Sequence, residues 1–468
     1  MSERHTYVRN TLLLLAANAL VLAVGFVARP LIARLLGPEE YAAFALVLST
    51  AAALSIYLNF SLNLGLVYRV AKKPKKAGEY NSTVIAFLVL MSAILILPAY
   101  LLLKIVVPAL GDLGYLSAFV LAVALGLLAI LEAMQQGLKK FNQFGATQAG
   151  SGVLAAVASV AGAILLLNGF LVGALRAVAV LAVTVAGLLY LKRFGRITRK
   201  AFDEVWAYSK PITFAAFAST LIAVVDKYFL AAFSSMSSLG YYDISLALVS
   251  ATLPFTVSLT AVMLPEVSRY PKKILLYYPR IAAANTVLLT GFGLCLYYYA
   301  DIVVSLLLGS EYIAGTVPLL RILALALPVM SFINLNNTTY RAIGMPKATA
   351  FYAVSLVAAS IIFNWLLVPQ YGAIGAAFAT LATYLVIAVT GTVMLWRHVK
   401  VGIRKTVFQL ALFALFAAGY WLLENPGFTV KTILLLAFGL ATLALQRKLV
   451  AELIETVKSF NLFGGGAK

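Results

Sequence analysis

Long apolar stretches, separated by short polar or Gly/Pro-containing segments, follow one another along almost the whole chain. The hydrocarbon core of a bilayer is about 30 Å thick, and an α-helix needs about 20 apolar residues to cross it. The pattern therefore predicts an all-α polytopic membrane protein with about fourteen transmembrane helices. The fourteen predicted spans are 11–36, 41–68, 82–103, 115–138, 146–167, 171–191, 211–233, 242–264, 281–299, 317–340, 348–368, 373–396, 406–423 and 429–445.

Composition supports this class. Of the 468 residues, 63% are hydrophobic and 11% are charged, whereas soluble domains are about 45–50% apolar and about 25% charged. The water-soluble classes are thereby excluded. The longest link between spans is 192–210, which is too short to form a catalytic domain outside the membrane.

The distribution of positive charge predicts the orientation. The chain has 36 Lys and Arg against 16 Asp and Glu, a net charge of +20. If the N-terminus is cytoplasmic, 29 of those 36 basic residues lie in the cytoplasmic loops and ends. Because basic loops resist translocation, we expect a protein of the cytoplasmic membrane with both termini in the cytoplasm and no nucleic-acid partner. The first apolar run exceeds a signal-peptide core, so we expect an uncleaved anchor.

Cysteine and histidine are scarce. Cys295 is the single cysteine, and the two histidines, His5 and His398, both lie next to basic residues. A disulfide framework and a zinc site both need more ligands than this. We therefore expect no metal centre and no cofactor.

A weak internal repeat predicts two lobes. The segments that begin at Arg29 and at Asp226 both consist of an apolar helix end, a Gly-containing turn, a tyrosine and a small-residue helix. In this alignment Tyr41 matches Tyr242, and Arg29 lies opposite Asp226 at the same depth. Six helices separate the copies, so both have the same orientation. The predicted parts are a first lobe of six helices (1–191), a cytoplasmic linker (192–210), a second lobe of six helices (211–400), two appended helices (401–446) and a cytoplasmic tail (447–468).

Several charged residues lie within the predicted spans. An ionisable side chain at membrane depth costs on the order of 3 kcal/mol and is a functional hypothesis by default. We predict substrate-binding roles for Arg29, Arg34, Arg176, Lys227 and Arg321, and ion-coupling roles for Asp226 and Glu132. Alternatives remain open. Arg29 can form an ion pair with Asp226, three of the arginines (Arg34, Arg176 and Arg321) can extend toward lipid headgroups, and Glu132 can serve a helix contact with Gln135 and Gln136.

The charges of these predicted site residues favour an anionic cargo. Up to five cations stand against two carboxylates, whereas an exporter of organic cations would need the reverse. Arginine is suited to phosphate because its planar group donates in a fixed fork. Pro30, directly after Arg29, should loosen the first helix at that level.

Ordered motifs resemble a known family. The segments RPLIARLLGPEEYAAFALVLS, DKYFLAAFSSMSSLGYYDISLALVS, LPEVSRYPKK, GSEYIAGTVPLLRILALALP and RAIGMPKATAFYAVSLVAASIIFNWLLVPQYGAIGAAFATLATY resemble the polysaccharide-transporter branch of the multidrug/oligosaccharidyl-lipid/polysaccharide flippase superfamily. The resemblance covers most of residues 7–400. It implies fourteen helices in two lobes around a central cavity, and translocation of isoprenoid-pyrophosphate-linked oligosaccharides by alternating access.

One segment also resembles the lipid II flippases. GFVARPLIARLLG is similar to their first helix, in which GFVRD-type segments carry a functional arginine. Here Ala28 displaces Arg29 by one position, and Pro30 stands where the aspartate is expected. This departure makes a peptidoglycan precursor a poorer cargo.

The resulting hypothesis is a flippase, not an enzyme. It moves a polyprenyl-pyrophosphate-linked oligosaccharide from the cytoplasmic to the outer leaflet, acts as a monomer in the bilayer and is coupled to H⁺ or Na⁺. The alternatives are a cation-coupled multidrug exporter, a scramblase or channel, and a membrane glycosyltransferase or ligase. The last would need acids on large outer loops, whereas the predicted outer loops are short and carry scattered acids such as Asp112 and Asp243.

Overall fold

The computed structural model describes residues 3–254, 256, 260, 263, 267, 269–423 and 426–447. Within these residues the regular structure consists of α-helices and short 3₁₀ turns, which confirms the predicted all-α class. The predicted tail lies outside the described residues from position 448 onward, as does much of the end of the eighth predicted span.

The helices of the described residues are labelled in chain order. They are α1 (Glu3–Asn59), α2 (Leu62–Lys72), α3 (Ala77–Val106), α4 (Gly111–Gly137), α5 (Phe141–Leu166), α6 (Gly169–Leu191), α7 (Arg199–Phe233), α8 (Met236–Ser250), α9 (Ile274–Tyr298), α10 (Ala300–Leu307), α11 (Ile313–Ala342), α12 (Pro346–Val399), α13 (Arg404–Leu422) and α14 (Phe428–Leu445). The 3₁₀ turns are Pro74–Lys76, Pro108–Leu110, Pro271–Lys273 and Ser310–Tyr312.

Two of these helices are broken at a glycine. The backbone leaves helical geometry at Gly37 in α1 (φ 74°, ψ 170°) and at Gly372 in α12 (φ 55°, ψ −131°). Positive φ carries no steric cost for glycine, which lacks a Cβ atom. Each break falls between two predicted spans. The helix α12 therefore contains the spans 348–368 and 373–396, whereas α1 contains the span 11–36 and the first part of the span 41–68, which ends in α2. At Pro30 the backbone of α1 keeps helical dihedral angles, and the loosening expected at that level stays a prediction.

Ten helical stretches of the described residues are long and apolar enough to cross a membrane. Two of them, Ala16–Asn59 and Ala348–Val399, contain the breaks at Gly37 and Gly372. The protein is therefore a multi-pass membrane protein, and the number fourteen stays a prediction.

The chain forms two compact units. The first comprises Met1–Ile244, Leu307–Gly309 and Asn364–Ala376, and the second comprises Ser245–Leu306, Ser310–Phe363 and Ala377–Lys468. In the first unit, α1 packs on α4, α5 and α6. In the second, α9 packs on α11 and α13 around an aromatic core that includes Tyr298, Phe413 and Tyr420. The predicted division into lobes at residues 191 and 211 stays a prediction.

Close backbone approaches join the helices of the first unit at one end. Gly240 in α8 packs against the carbonyl oxygen of Pro38, directly after the break in α1. The backbone N–H of Gly169, at the start of α6, donates to Oε2 of Glu40 at 2.7 Å. These contacts hold the first turns of α6 and α8 beside the turn in α1, and they set the positions of the charged residues described next.

At the opposite end of the first unit, the start of α7 is fastened to α2 and α3. The carboxylate of Glu204 accepts hydrogen bonds from Lys73 Nζ (2.9 Å) and from the hydroxyl of Tyr80. Arg69 donates to the backbone carbonyl of Glu204 at 2.7 Å. These bonds hold the predicted inter-lobe linker against the helices that precede it.

Candidate functional site: a charged cluster in the first unit

The first component of the cluster is a reversal of the chain in α1. Arg29 lies in electrostatic range of Tyr41, although twelve residues of straight helix would separate them by about 18 Å. The break at Gly37 turns the chain back and brings them together. Tyr41 is 1% exposed.

The second component is the equivalent reversal between α7 and α8. The hydroxyl of Tyr242 donates to Oδ2 of Asp226 at 2.7 Å. The amide of Asn364, from α12, donates to the other oxygen of the same carboxylate at 2.7 Å. Asp226 thus accepts hydrogen bonds at both oxygens from two different helices.

Asp243 joins the two components. Its Oδ1 lies 2.6 Å from Nζ of Lys227, and its Oδ2 accepts a hydrogen bond of 2.9 Å from the hydroxyl of Tyr41. Arg29 is also in electrostatic range of this carboxylate. Asp243 is 5% exposed, so its charge is held by protein groups with little help from solvent. A buried carboxylate needs such partners because its desolvation is costly.

A further cation completes the cluster. Arg176, from α6, lies in electrostatic range of Arg29 and donates from Nη1 to the hydroxyl of Ser159 at 3.4 Å. Arg29, Arg176 and Lys227 therefore supply three positive charges against the two carboxylates of Asp226 and Asp243. We call these five residues the charged cluster.

The cluster reaches the surface of the protein at Arg29. The side chain of Arg29 is exposed, whereas its neighbours Ala28 and Pro30 are buried. Because the guanidinium of Arg29 is exposed, it can bind an anionic group without disrupting helix packing. Phosphate oxygens match its donors, and hydrogen bonds between charged groups are about twice as strong as neutral ones.

The remaining predicted site residues lie apart from these contacts. Arg34 is exposed on α1, beside Gly309. Arg321 belongs to the second unit, where its Nη2 donates to the hydroxyl of Tyr420 at 2.9 Å. Glu132 is half-buried on α4 and has no hydrogen-bond or ion-pair partner among the described residues, while its neighbour Gln135 donates to Thr147 at 2.9 Å. The roles proposed for these three residues stay predictions.

Sequence reasoning missed three members of this environment. The sequence pattern places Asp243 in an outer loop, but Asp243 lies inside α8 and is buried. Tyr41 carries no signal in the sequence beyond its place in the repeat, and Asn364 carries none. The signal available for Asp243 was its position next to Tyr242, which the repeat already aligned with Tyr41.

Comparisons with known proteins agree with this architecture. The structure is similar to that of a lipid II flippase MurJ in an inward closed conformation, with a TM-score of 0.75, 16% identity and coverage of 94% of this chain and 100% of that one. It is also similar to an inward-facing multidrug resistance MATE family transporter of the MOP superfamily, with a TM-score of 0.62, 15% identity and coverage of 84% and 95%. The fold is therefore similar to the fold of these two proteins.

Residues 7–271 match the family model described as polysaccharide biosynthesis protein. The chain belongs to this family, and so to the polysaccharide flippase branch of the multidrug/oligosaccharidyl-lipid/polysaccharide flippase superfamily, as its motifs predicted. The chain is a transporter rather than an enzyme.

Two archaeal proteins are similar in sequence. A probable low-salt glycan biosynthesis flippase, Agl15 of Haloferax volcanii, is 23% identical over 397 residues, which are 81% of each chain. An uncharacterized membrane protein of Methanocaldococcus jannaschii, MJ1068, is 21% identical over 195 residues. That match spans 40% of this chain and 38% of the relative.

Proposed function

We propose that the protein flips a polyprenyl-pyrophosphate-linked oligosaccharide from the cytoplasmic to the outer leaflet by alternating access. The observation that carries the proposal is the excess of positive charge in the charged cluster, where Arg29 and Arg176 lie in electrostatic range of each other. Two like charges at membrane depth are costly. An anionic ligand between them would compensate that cost.

A pyrophosphate meets the requirements of this cluster better than a single carboxylate does. It carries several oxygens, which can accept from Arg29, Arg176 and Lys227 together, and arginine binds such oxygens in a bidentate manner. The sugars would follow the pyrophosphate, while the polyprenyl tail stays in lipid. The flippase name of the Haloferax relative supports this class of cargo.

We further propose that a cation, H⁺ or Na⁺, couples to transport at Asp226 or Glu132. Asp226 accepts from Tyr242 and Asn364, so polar groups from two helices already converge on its carboxylate. Glu132 has no hydrogen-bond or ion-pair partner among the described residues. A cation arriving at either carboxylate would weaken the hold of the cluster on the anion and favour release.

Orientation and location follow from the distribution of basic residues. We propose that the protein lies in the cytoplasmic membrane with both termini in the cytoplasm, because basic loops resist translocation. The end of the first unit that carries Lys73 and Glu204 is then cytoplasmic, and the end that carries Pro38 and Gly240 is extracytoplasmic. We expect the monomer to be the functional form.

The test is a flipping assay in proteoliposomes with a fluorescent polyprenyl-pyrophosphate glycan, measured with and without a pH or sodium gradient. We expect protein-dependent flipping, lost in Arg29→Ala and strongly reduced in Arg29→Lys, because a lysine cannot donate in a fork. Arg397→Ala is the matched control, since Arg397 is exposed at the far end of α12. Full transport by both Arg29 variants, correctly folded, would overturn the binding role.

The purified protein can also be used to distinguish a flippase from a multidrug exporter. The exporter is the alternative suggested by the similarity to a MATE family transporter. A lipid-linked pyrophosphate should raise the melting temperature of the purified protein, and a cationic dye should not. Stabilisation by the dye alone, with dye efflux, would favour the exporter. Flipping without dependence on any ion gradient would favour a scramblase.

A further inference from the structure

Asp243 connects groups that are far apart in the chain. Its carboxylate holds Lys227 at 2.6 Å and the hydroxyl of Tyr41 at 2.9 Å, and Arg29 lies in electrostatic range. The side chain of Lys227 is 14% exposed and that of Asp243 is 6% exposed. The carboxylate thus pairs with Lys227 inside the protein and also attracts Arg29.

The groups that hold Asp243 are also the groups suited to a phosphate. Lys227 and Arg29 donate to anionic oxygens, and a carboxylate and a phosphate oxygen compete for the same donors. A pyrophosphate bears more negative charge than one carboxylate, and it can engage several cations at once. Its arrival therefore weakens the hold of Lys227 and Arg29 on Asp243.

The hydrogen bond between Tyr41 and Asp243 joins two helices. Tyr41 lies in α1, four residues after the break at Gly37, and Asp243 lies in α8. In the predicted organisation these residues belong to different lobes. At the same end of the unit Gly240 packs against Pro38, so the hydrogen bond fastens a contact that must separate if this end opens.

We propose that Asp243 is an internal stand-in for the substrate phosphate, and that its displacement by the phosphate releases Tyr41 and unlocks the Pro38 end of the protein. This inference rests on the proposed function, because it requires that an anion bind at the cluster. It assigns Asp243 a positioning role: the residue sets the affinity for the anion and links binding to opening.

The first test is binding of farnesyl pyrophosphate, and separately of inorganic pyrophosphate, to the purified full-length protein. Asp243→Asn removes the competing charge, so its affinity for farnesyl pyrophosphate should rise at least tenfold. Asp301→Asn is the matched control, because Asp301 pairs with a buried lysine, Lys431, at 3.0 Å in the second unit. Its affinity should equal that of the wild type.

The second test follows opening with a single-cysteine reporter. Ala42 is fully buried beside Tyr41, so Ala42→Cys in a Cys295→Ser background should react slowly with a membrane-impermeant maleimide. We expect farnesyl pyrophosphate to raise the labelling rate. Tyr41→Phe should raise it at least threefold without ligand, because it removes the hydroxyl and keeps the ring.

Tyr242→Phe is the control for this second test. It removes a hydroxyl that also bonds an aspartate, Asp226 at 2.7 Å, but that bond joins α7 to α8 and does not reach α1. Labelling without ligand should therefore stay at the wild-type rate. An equal increase in Tyr41→Phe and Tyr242→Phe would overturn the specific role of the bond to Asp243.

The outcomes separate the two proposals. If the wild type binds neither probe, the proposed function fails. If the wild type binds farnesyl pyrophosphate but Asp243→Asn binds it equally or more weakly, the stand-in role is wrong and the proposed function survives. Should Asp243→Asn not fold, Tyr41→Phe decides: unchanged affinity and unchanged labelling in that variant contradict the inference. Equal affinity for both probes would identify the phosphate, without the lipid, as the recognised group.

Discussion

The hydroxyl of Tyr41 donates a hydrogen bond to Asp243, 202 residues later in the chain, while the hydroxyl of Tyr242 donates to Asp226 within its own helix pair. Tyr41 and Tyr242 are the residues that the internal repeat aligns. Tyr242 bonds Asp226, whereas Tyr41 lies in electrostatic range of Arg29, the residue that the repeat places opposite Asp226. The two aligned tyrosines thus bind different aspartates, and the repeat itself stays a prediction.

The buried ion pair between Lys227 and Asp243 leads to a prediction about stability. Lys227→Met leaves the carboxylate with Tyr41 and the more distant Arg29, and removal of one partner of a buried pair costs about 3–5 kcal/mol. We expect a loss of this size in the free energy of unfolding, measured by thermal or denaturant unfolding in detergent.

The second unit supplies the control for this prediction. Lys431→Met breaks the pair with Asp301, whose side chain is 44% exposed, so water can solvate the carboxylate left behind. The loss there should be clearly smaller. Equal losses in the two variants would show that the burial of Asp243 does not govern the energy of its pair.

A second prediction concerns ion coupling. Asp226→Asn keeps one acceptor oxygen for the Asn364 amide and places an NH2 group toward Tyr242, whose hydroxyl can also accept. It removes the charge that would attract a cation. We expect it to bind the lipid-linked pyrophosphate and to lose most of the stimulation of flipping by a pH or sodium gradient. Asp203→Asn, at an exposed position early in α7, should retain the stimulation. Stimulation that survives in Asp226→Asn and disappears in Glu132→Gln would move the coupling role to Glu132.

Much of the fold could be predicted from the sequence, because helix length and apolar content are local properties. The breaks at Gly37 and Gly372 fall where a short segment with Gly and Pro separates two apolar stretches. Glycine favours such a break because it adopts non-helical dihedral angles easily, and proline favours it because its ring disrupts the helix. The unbroken helical dihedrals at Pro30 were harder to foresee. A proline removes one helical hydrogen bond, and whether the helix bends depends on the packing around it.

The candidate site could be predicted only in part. Arg29, Arg176, Lys227 and Asp226 stand out because a charge in an apolar stretch is costly. Asp243 does not, because it follows two tyrosines at the start of a span, where a loop residue is equally plausible. Its role depends on the approach of Tyr41 from a distant segment, and no local pattern contains that contact.

A third prediction concerns the effect of low pH on stability through Glu204, at the end of the first unit that we propose to be cytoplasmic. Hydrogen bonds from Tyr80 and Lys73 lower the pKa of Glu204 from 4.5 to about 2. Because the folded-state pKa is lower than the unfolded value, these bonds stabilise the protein fully above about pH 4.5. Their contribution is lost as the pH falls from there toward 2.

The measurement is the melting temperature between pH 6 and pH 2.5. The wild type should be more stable than Glu204→Gln at pH 6, and the difference should shrink below pH 4.5. Asp203→Asn is the matched control, because Asp203 is the exposed neighbour of Glu204 and forms no hydrogen bond among the described residues. A constant difference between wild type and Glu204→Gln across this range would contradict the assignment.

The close approach of Gly240 to Pro38 gives the last prediction. A Cβ atom at position 240 would collide with the carbonyl oxygen of Pro38, and overpacking of this kind costs about 1–3 kcal/mol. Gly240→Ala should therefore lower the free energy of unfolding and also raise maleimide labelling of the Ala42→Cys reporter, because α8 must move away from α1. Gly419→Ala is the control, since nothing lies within 4 Å of its Cβ position in α13. In a helix interior that change should raise stability by about 0.5–1 kcal/mol. If Gly240→Ala matches Gly419→Ala in both stability and labelling, the Pro38 contact does not hold this end closed.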